Sequence, residues 1–379
     1  MNVYVREMAA ALAHAGSQCR VYVRRAQEGQ PDEVAIEPGV TVVHIDAGPV
    51  ELGKEDLHGV VDQFADGVLA DLRRQGPPDV IHANYWLSGV AGHRVKHAVE
   101  VPLAVTFHTL ARVKAATGDP ESEQRAQAET EVMGCADVII ASCEPEAQQL
   151  QAFYDAPPER IELAPPGVEH ALFSPGDREG ARAALGLGRG PVLLFVGRVQ
   201  PLKRPVVAVE TLACLARDDA RLLVVGGPSG AEGEAEYQRL QSRIHALGLE
   251  DQVTLVPPRP HHWLSTYYRA ADVVLVPSRS ESFGLVALEA AASGTPVVAA
   301  PVGGLRSIVD HGRTGFLVGD ATAEAFAAQA ATLIDNPLLA AETAMNAAER
   351  ARSYSWAAMA RSLQAAYRRI QSRVPVYCT

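Results

Sequence analysis

Short apolar runs rich in β-branched residues alternate with amphipathic stretches along almost the whole of this 379-residue chain. They are CRVYVR, VTVVHI, DVIHA, PLAVTF, DVIIAS and IELAP, then PVLLFVG, RLLVVG, QVTLVP, DVVLVPS, TPVVAA and TGFLV. Strands that alternate with helices form parallel sheets covered on both faces, so the reading is α/β. The densest mid-chain Pro/Gly cluster, APPGVEHALFSPGD, divides the runs into two comparable βα series. At 379 residues the chain is too long for one ordinary core and comfortable as two domains, which invite a cleft between them.

The two ends depart from that alternation. From about Ala321 the chain reads as successive amphipathic helices, with Tyr354, Trp356, Met359, Leu363 and Tyr367 spaced about a helical turn apart. The opening MNVYVREMAAALAHAG also has helical spacing and a Gly16 stop, whereas a doubly wound domain opens with a strand. Met1 therefore reads as an internal start.

Composition narrows the function. No apolar run reaches the roughly 18 residues of a membrane span, and no signal peptide is visible. A formal charge of -11 argues against nucleic acid, which is held by summed positive charge. Cys19, Cys135, Cys143, Cys214 and Cys378 fall at no metal-ligand or CxxC spacing and read as reduced thiols of a cytoplasmic protein. Lysine is scarce: Lys54, Lys96, Lys114 and Lys203 stand against thirty arginines, so each is worth locating.

The sharpest segment is Glu281-Ser282-Phe283-Gly284-Leu285-Val-Ala-Leu-Glu289, after a strand ending in Pro277-Ser278. Amide N–H groups at a helix start can hold a diphosphate, and the two acids can accept hydrogen bonds from sugar and ribose hydroxyls. Alone, such a segment is more often an ordinary capped helix with solvated glutamates. About eighty residues earlier, Gly197-Arg198 closes PVLLFVG and Lys203 follows in RVQPLKRP. Two cations at the carboxyl edge of a parallel sheet can neutralise a departing diphosphate.

Together these segments resemble the retaining GT-B glycosyltransferases of family 4, and within them the D-inositol 3-phosphate glycosyltransferases of mycothiol biosynthesis. The likeness runs through AGPVELGKEDL, HANYWLSG, TFHTLARVKA, PESEQR, PPGVEHALFSPG, FVGRVQPLK, VVGGPSG, PPRP, YRAADVVLVPSRSESFGLVALEA, SGTPVVAA and GGL to SYSWAAMARSL. It implies two Rossmann-like doubly wound domains facing across a cleft, with a C-terminal helix returning to the first domain. The expected spans are 1–172 for acceptor binding, 173–350 for the nucleotide sugar and 351–379 for the crossover helix. Members of the family begin with a strand and a Gly-Gly loop just ahead of the MNVY segment, so the resemblance implies an N-terminal truncation.

By the same resemblance the chain is a retaining hexosyltransferase moving N-acetylglucosamine from a UDP-sugar to 1D-myo-inositol 3-phosphate. Another sugar phosphate or aminocyclitol acceptor, or an inactive sugar-nucleotide-binding protein, stays open. Arg198 and Lys203 become the diphosphate clamp, Glu281 a sugar ligand, Glu289 the ribose ligand and Arg259 the residue meeting uracil through its backbone. Ser282, Phe283, Gly284 and Leu285 complete the donor side, and His108 sits under the transferred sugar. Asn2, Lys54, Tyr85, Thr109 and Arg125 match acceptor positions. Relatives can carry a non-catalytic Mg2+, corresponding here to Tyr268, Arg269, Ala271 and Thr295. No cofactor is required, no DxD pair marks a catalytic metal, no integral membrane association is expected, and a homodimer is allowed.

Overall fold

The computed structural model describes residues 2–119, 121–230 and 232–376, without the side chains of Asn2 and Lys54. Two compact units emerge: Met1–Gly167 with Trp356–Thr379, and Val168–Ser355. Among the described residues no helix is long and apolar enough to cross a membrane.

The second unit carries one parallel sheet of six strands: β8 (Val192–Val196), β9 (Arg221–Val225), β10 (Val253–Val256), β11 (Val273–Val276), β12 (Val297–Ala299) and β13 (Gly315–Leu317). Their spatial order is β10-β9-β8-β11-β12-β13, the doubly wound arrangement in which strand order reverses beside the first strand. VLLFV and VVLV are buried almost throughout, as strands covered on both faces require. Leu193, Leu222, Leu275 and Val298 share one core with Leu212 and Phe326 from covering helices. Burying each leucine contributes about 1.5–3 kcal/mol relative to exposure.

In the first unit the same alternation is split between two sheets. β1 (Cys19–Arg24), β2 (Glu33–Glu37) and β3 (Val40–Ile45) pair in the order β1-β3-β2, and β4 (Ile81–Asn84), β5 (Leu103–Thr106), β6 (Val138–Ala141) and β7 (Ile161–Leu163) pair in sequence order. β1 and β4 do not pair with each other. Helices bridge the interruption on both faces. Val68, Leu69 and Val95 pack with Val43 and Ile45 and reach Ile81, while Met8 and Leu12 pack with Met359, Leu363, Ala104 and Ile140. Both units are thus Rossmann-like.

Three sequence readings are corrected. β2 was not anticipated; it runs antiparallel to β3, and its mostly exposed edge lacks a buried strand's apolar run. Tyr354 lies ahead of the helix Trp356–Gln371, because its ring packs edge-on against Phe283 in the second unit. Cys19, Cys143 and Cys214 are free thiols, but Cys135 is disulfide-bonded.

Candidate active site

In the second unit the adjacent strands β8 and β11 end side by side, the edge at which open α/β sheets bind ligands. Beyond β8 come Gly197, exposed Arg198 and a helical turn, Pro201–Lys203. Beyond β11 come Ser278 and Glu281. A backbone bond from Arg279 N to Leu202 O, 2.9 Å, ties the two loops. Lys203 Nζ then lies 2.5 Å from Glu281 Oε1, which also accepts from Ser278 Oγ at 2.9 Å. Their side chains are 18% and 15% exposed, so the pair is open enough to meet a ligand yet poorly screened.

Glu281 is held from beneath by the Gly303-Gly304 turn. Gly304 N donates to Glu281 O at 3.2 Å, and a Cβ on Gly303 would fall 1.7 Å from that oxygen. Ser282 and buried Phe283 lead into Gly284, the left-handed cap (φ 100°) of helix Leu285–Ala292. A Cβ on Gly284 would also meet Leu305 Cδ2 at 2.7 Å. Glycine is therefore needed there for conformation and for space. The helix presents its first unpaired amides just past Glu281.

Glu289, on the same helix, is buried with both oxygens engaged: His261 Nε2 lies 2.7 Å from Oε1 and Tyr268 OH donates to Oε2 at 2.8 Å. Burial pushes the Tyr268 phenol well above its ordinary range, so it stays a donor. Arg259 is exposed, its guanidinium 5.9 Å above the Trp263 ring, but its segment passes Glu289 through His261. Tyr268, Arg269, Ala271 and Thr295 come together: Thr295 Oγ1 donates to Tyr268 O at 2.7 Å and Ala271 N to the same oxygen at 3.2 Å. Arg269 turns away, Nε donating to Ser174 O at 2.8 Å.

In the first unit β4 and β5 end side by side, and Tyr85 and His108 both take positive φ there, 83° and 63°. His108 Nε2 lies 3.0 Å from Asn84 Oδ1 and its ring meets Tyr4 edge-on at 4.6 Å. Burial pulls the imidazole down to about 3, so it is neutral at physiological pH. Arg125, on helix Glu123–Cys135, donates from Nη2 to Thr109 Oγ1 (2.9 Å) and Thr109 O (3.0 Å), and its guanidinium stands 5.3 Å above the Tyr85 ring. Tyr85, Thr109 and Arg125 therefore converge. The side chains of Asn2 and Lys54 lie outside the described residues.

What the sequence reading missed is the carboxylates around Arg125. Glu129 Oε1 lies 2.8 Å from its Nε, Glu121 Oε1 2.8 Å from its Nη1, and Glu121 also bonds Lys114. The helical spacing of Glu121, Arg125 and Glu129, four residues apart, was the available signal. Ser278, three residues ahead of Glu281, was also within reach of local spacing, whereas His261 carried no such signal, since its partner Glu289 lies on another element.

Comparisons with known proteins give the family. Residues 1–167 match the family model "Glycosyl transferase 4-like domain" and residues 177–354 match "Glycosyl transferases group 1". The chain is 43% identical to a D-inositol 3-phosphate glycosyltransferase of Thermobispora bispora, with 99% of this chain and 92% of that protein covered. It is 45% identical to the protein of that name from Geodermatophilus obscurus, covering 97% and 84%. Among solved structures, sucrose-phosphate synthase from Thermosynechococcus elongatus superposes with a TM-score of 0.89 at 32% identity, covering 97% of this chain and 92% of that one. The chain belongs to the family 4 glycosyltransferases of the GT-B class.

Proposed function

We propose that this glycosyltransferase moves N-acetylglucosamine from UDP to a hydroxyl of 1D-myo-inositol 3-phosphate with retention of anomeric configuration. The observation that carries the acceptor is the convergence of Arg125, Thr109 and Tyr85. A guanidinium beside two hydroxyls suits a phosphate, giving charge-assisted bonds that a neutral sugar could not repay. The acceptor in the Thermobispora relative's name bears such a phosphate. Because Glu121 bonds both Lys114 and Arg125, it can give up Arg125 to an incoming phosphate and keep Lys114.

On the donor side Lys203, Arg198 and the amides opening helix Leu285–Ala292 receive the diphosphate. Glu281 accepts from sugar hydroxyls, Glu289 from the ribose, and the backbone at Arg259 meets the uracil. Glu281 Oε1 already accepts from Lys203 and Ser278, which makes it a poor nucleophile and favours front-face substitution. The bond from the anomeric carbon to the diphosphate oxygen breaks as the bond to the acceptor oxygen forms, and the acceptor's proton passes to the departing diphosphate. Neutral His108 can accept a hydrogen bond from the transferred sugar without adding a cation beside the positive transition state.

Magnesium lies outside this scheme. Tyr268, Arg269, Ala271 and Thr295 offer neutral oxygens, and the Tyr268 carbonyl is already taken up by Thr295 and Ala271. A chelator is expected to leave turnover unchanged.

The test offers a panel of UDP-sugars with inositol 3-phosphate and detects product by mass. One product carrying N-acetylhexosamine is expected, and no product from any donor with this acceptor overturns the reading. A second reading, an aminocyclitol acceptor, is favoured by Asp119 and Glu121 beside Lys114, since carboxylates suit an ammonium group. Competition between the two acceptors separates them.

A further inference from the structure

On helix Trp86–Val99 of the first unit, His93 and His97 stand one helical turn apart on the same face. Their ring centroids are 4.9 Å apart with planes at 64°. The helix packs against Glu123–Cys135, and the approach is close because position 89 is glycine: a Cβ there would lie 2.9 Å from Val132 Cγ1. That contact brings Cys135, the last residue of its helix, beneath the two histidines. His97 Nε2 lies 3.2 Å from Cys135 Sγ, and one ligand atom from each of the three residues falls within 4.8 Å of the others. His93 is half-buried, His97 exposed and Cys135 buried, so an ion could enter from solvent over His97.

We propose that His93, His97 and the Cys135 thiolate form a binding site for a divalent metal of zinc's class, separate from the glycosyl-transfer residues. Tetrahedral zinc holds nitrogen at about 2.0–2.1 Å and sulfur at about 2.3 Å, which places neighbouring ligand atoms roughly 3.5 Å apart. The 3.2 Å His97–Cys135 separation is already of that size. Two imidazoles and a thiolate are the donors that select zinc over magnesium or calcium, and three protein ligands leave a fourth position for water. The backbone beneath the sulfur is fixed as well: buried Lys96 donates to Cys135 O at 2.7 Å and to Asp137 Oδ2 at 2.7 Å. Supporting bonds of this kind are what orient metal ligands.

Cys135 is disulfide-bonded, its partner lying outside the described residues. A sulfur in a disulfide is no thiolate, so metal binding belongs to the reduced protein. With a water-soluble phosphine as reductant, the phosphorus gives two electrons to the S–S bond and takes an oxygen from water, leaving two thiols and a phosphine oxide. Binding then releases the Cys135 proton to solvent. The sequence does not show this site because its ligands come from two helices about forty residues apart.

The experiment titrates the full chain, reduced with a phosphine, with Co2+ and then Zn2+, following absorbance. One equivalent of Co2+ is expected to give a thiolate-to-metal charge-transfer band and the intense d–d bands of a tetrahedral site, displaced by Zn2+. Cys135→Ser should lose the charge-transfer band, and His93→Ala and His97→Ala should each weaken Zn2+ binding at least about tenfold. Cys214→Ser should bind as the parent does, and circular dichroism confirms that each variant is folded. Unreduced protein should also bind at least tenfold more weakly. The proposal fails if the reduced chain shows no charge-transfer band, if Cys135→Ser retains it, or if folded histidine variants bind as tightly as the parent.

Discussion

In the first unit Asp71, Lys96, Arg125, Glu129, Asp137 and Glu146 are all buried, whereas in the second the buried charged residues, among those described, are Glu236 and Glu289. The sheets differ in parallel, one being split into pieces of three and four strands and the other continuous over six. Where the ladder is continuous, backbone bonds align the strands and apolar side chains fill the layers. In the unit whose sheet is interrupted, buried side-chain charge adds ties between helices, strands and the C-terminal segment. Asp71, on helix Val61–Gln75, accepts from Arg20 and Tyr22 of β1 at 2.8 and 2.9 Å. Asp137 accepts from Lys96, from Leu103 N at the start of β5, and from Val376 N, each at 2.7 Å. Such ties specify an arrangement, and losing one partner is costly because the other stays buried.

The comparison breaks most directly at Lys96. Lys96→Met strands Asp137 without its cation and should cost about 3–5 kcal/mol in urea unfolding. Hydrogen exchange should lose protection in β5, β6 and helix Trp86–Val99 but keep it in β8 to β12; a loss under 1 kcal/mol would show that the ties are incidental. The ion pair of the second unit should behave in the opposite way. Lys203→Ala is expected to lower kcat about 10²–10³-fold by analogy with oxyanion-hole donors, while the unfolding midpoint hardly moves. Near-normal turnover would remove Lys203 from the diphosphate clamp.

Acidity sharpens the contrast further. Burial pushes the Glu146 carboxyl up to about 7 from its ordinary 4.5. Between those values the folded chain holds a proton that the unfolded chain has lost, so stability falls as pH rises through the window. The loss by pH 7 is on the order of 3 kcal/mol, and Glu146→Gln should flatten the slope of stability against pH between 4.5 and 7. An unchanged slope in the variant would place the proton elsewhere. The smallest effect compares the units where they should not differ. Glu100 and Ala216 end helices in left-handed conformation at φ 56° and 51°. Replacing either by glycine should raise stability by about 0.5 kcal/mol, relieved strain being partly offset by a freer unfolded chain. A large difference between the two would mean that the first unit strains its backbone as well as burying charge.

Much of the fold was legible because it rests on local pattern. Every strand of the second unit coincides with an apolar run read directly from the sequence, and Gly16 does end the first helix. β2 escaped because an edge strand buries too little to need an apolar run. The site was legible as a set of residues and not as a set of bonds. Lys203 and Glu281 were singled out separately, but that one would hold the other across 78 residues follows from β8 and β11 being neighbours, which spacing does not encode. Glu121 and Glu129 were within reach of helical reasoning, each standing four residues from Arg125. His93, His97 and Cys135 were hidden for the plainest reason, that helix packing depends on shape and Gly89 looks like any other glycine.

The turn at Gly303-Gly304, pressed against the carbonyl of Glu281, limits how this enzyme can diverge. Any side chain at position 303 would drive the loop off Glu281 and carry its carboxylate away from Lys203. New donor preferences are therefore easier to reach by changing what surrounds Glu281 than by moving it, and a library randomising Gly303 should return glycine almost alone among active clones.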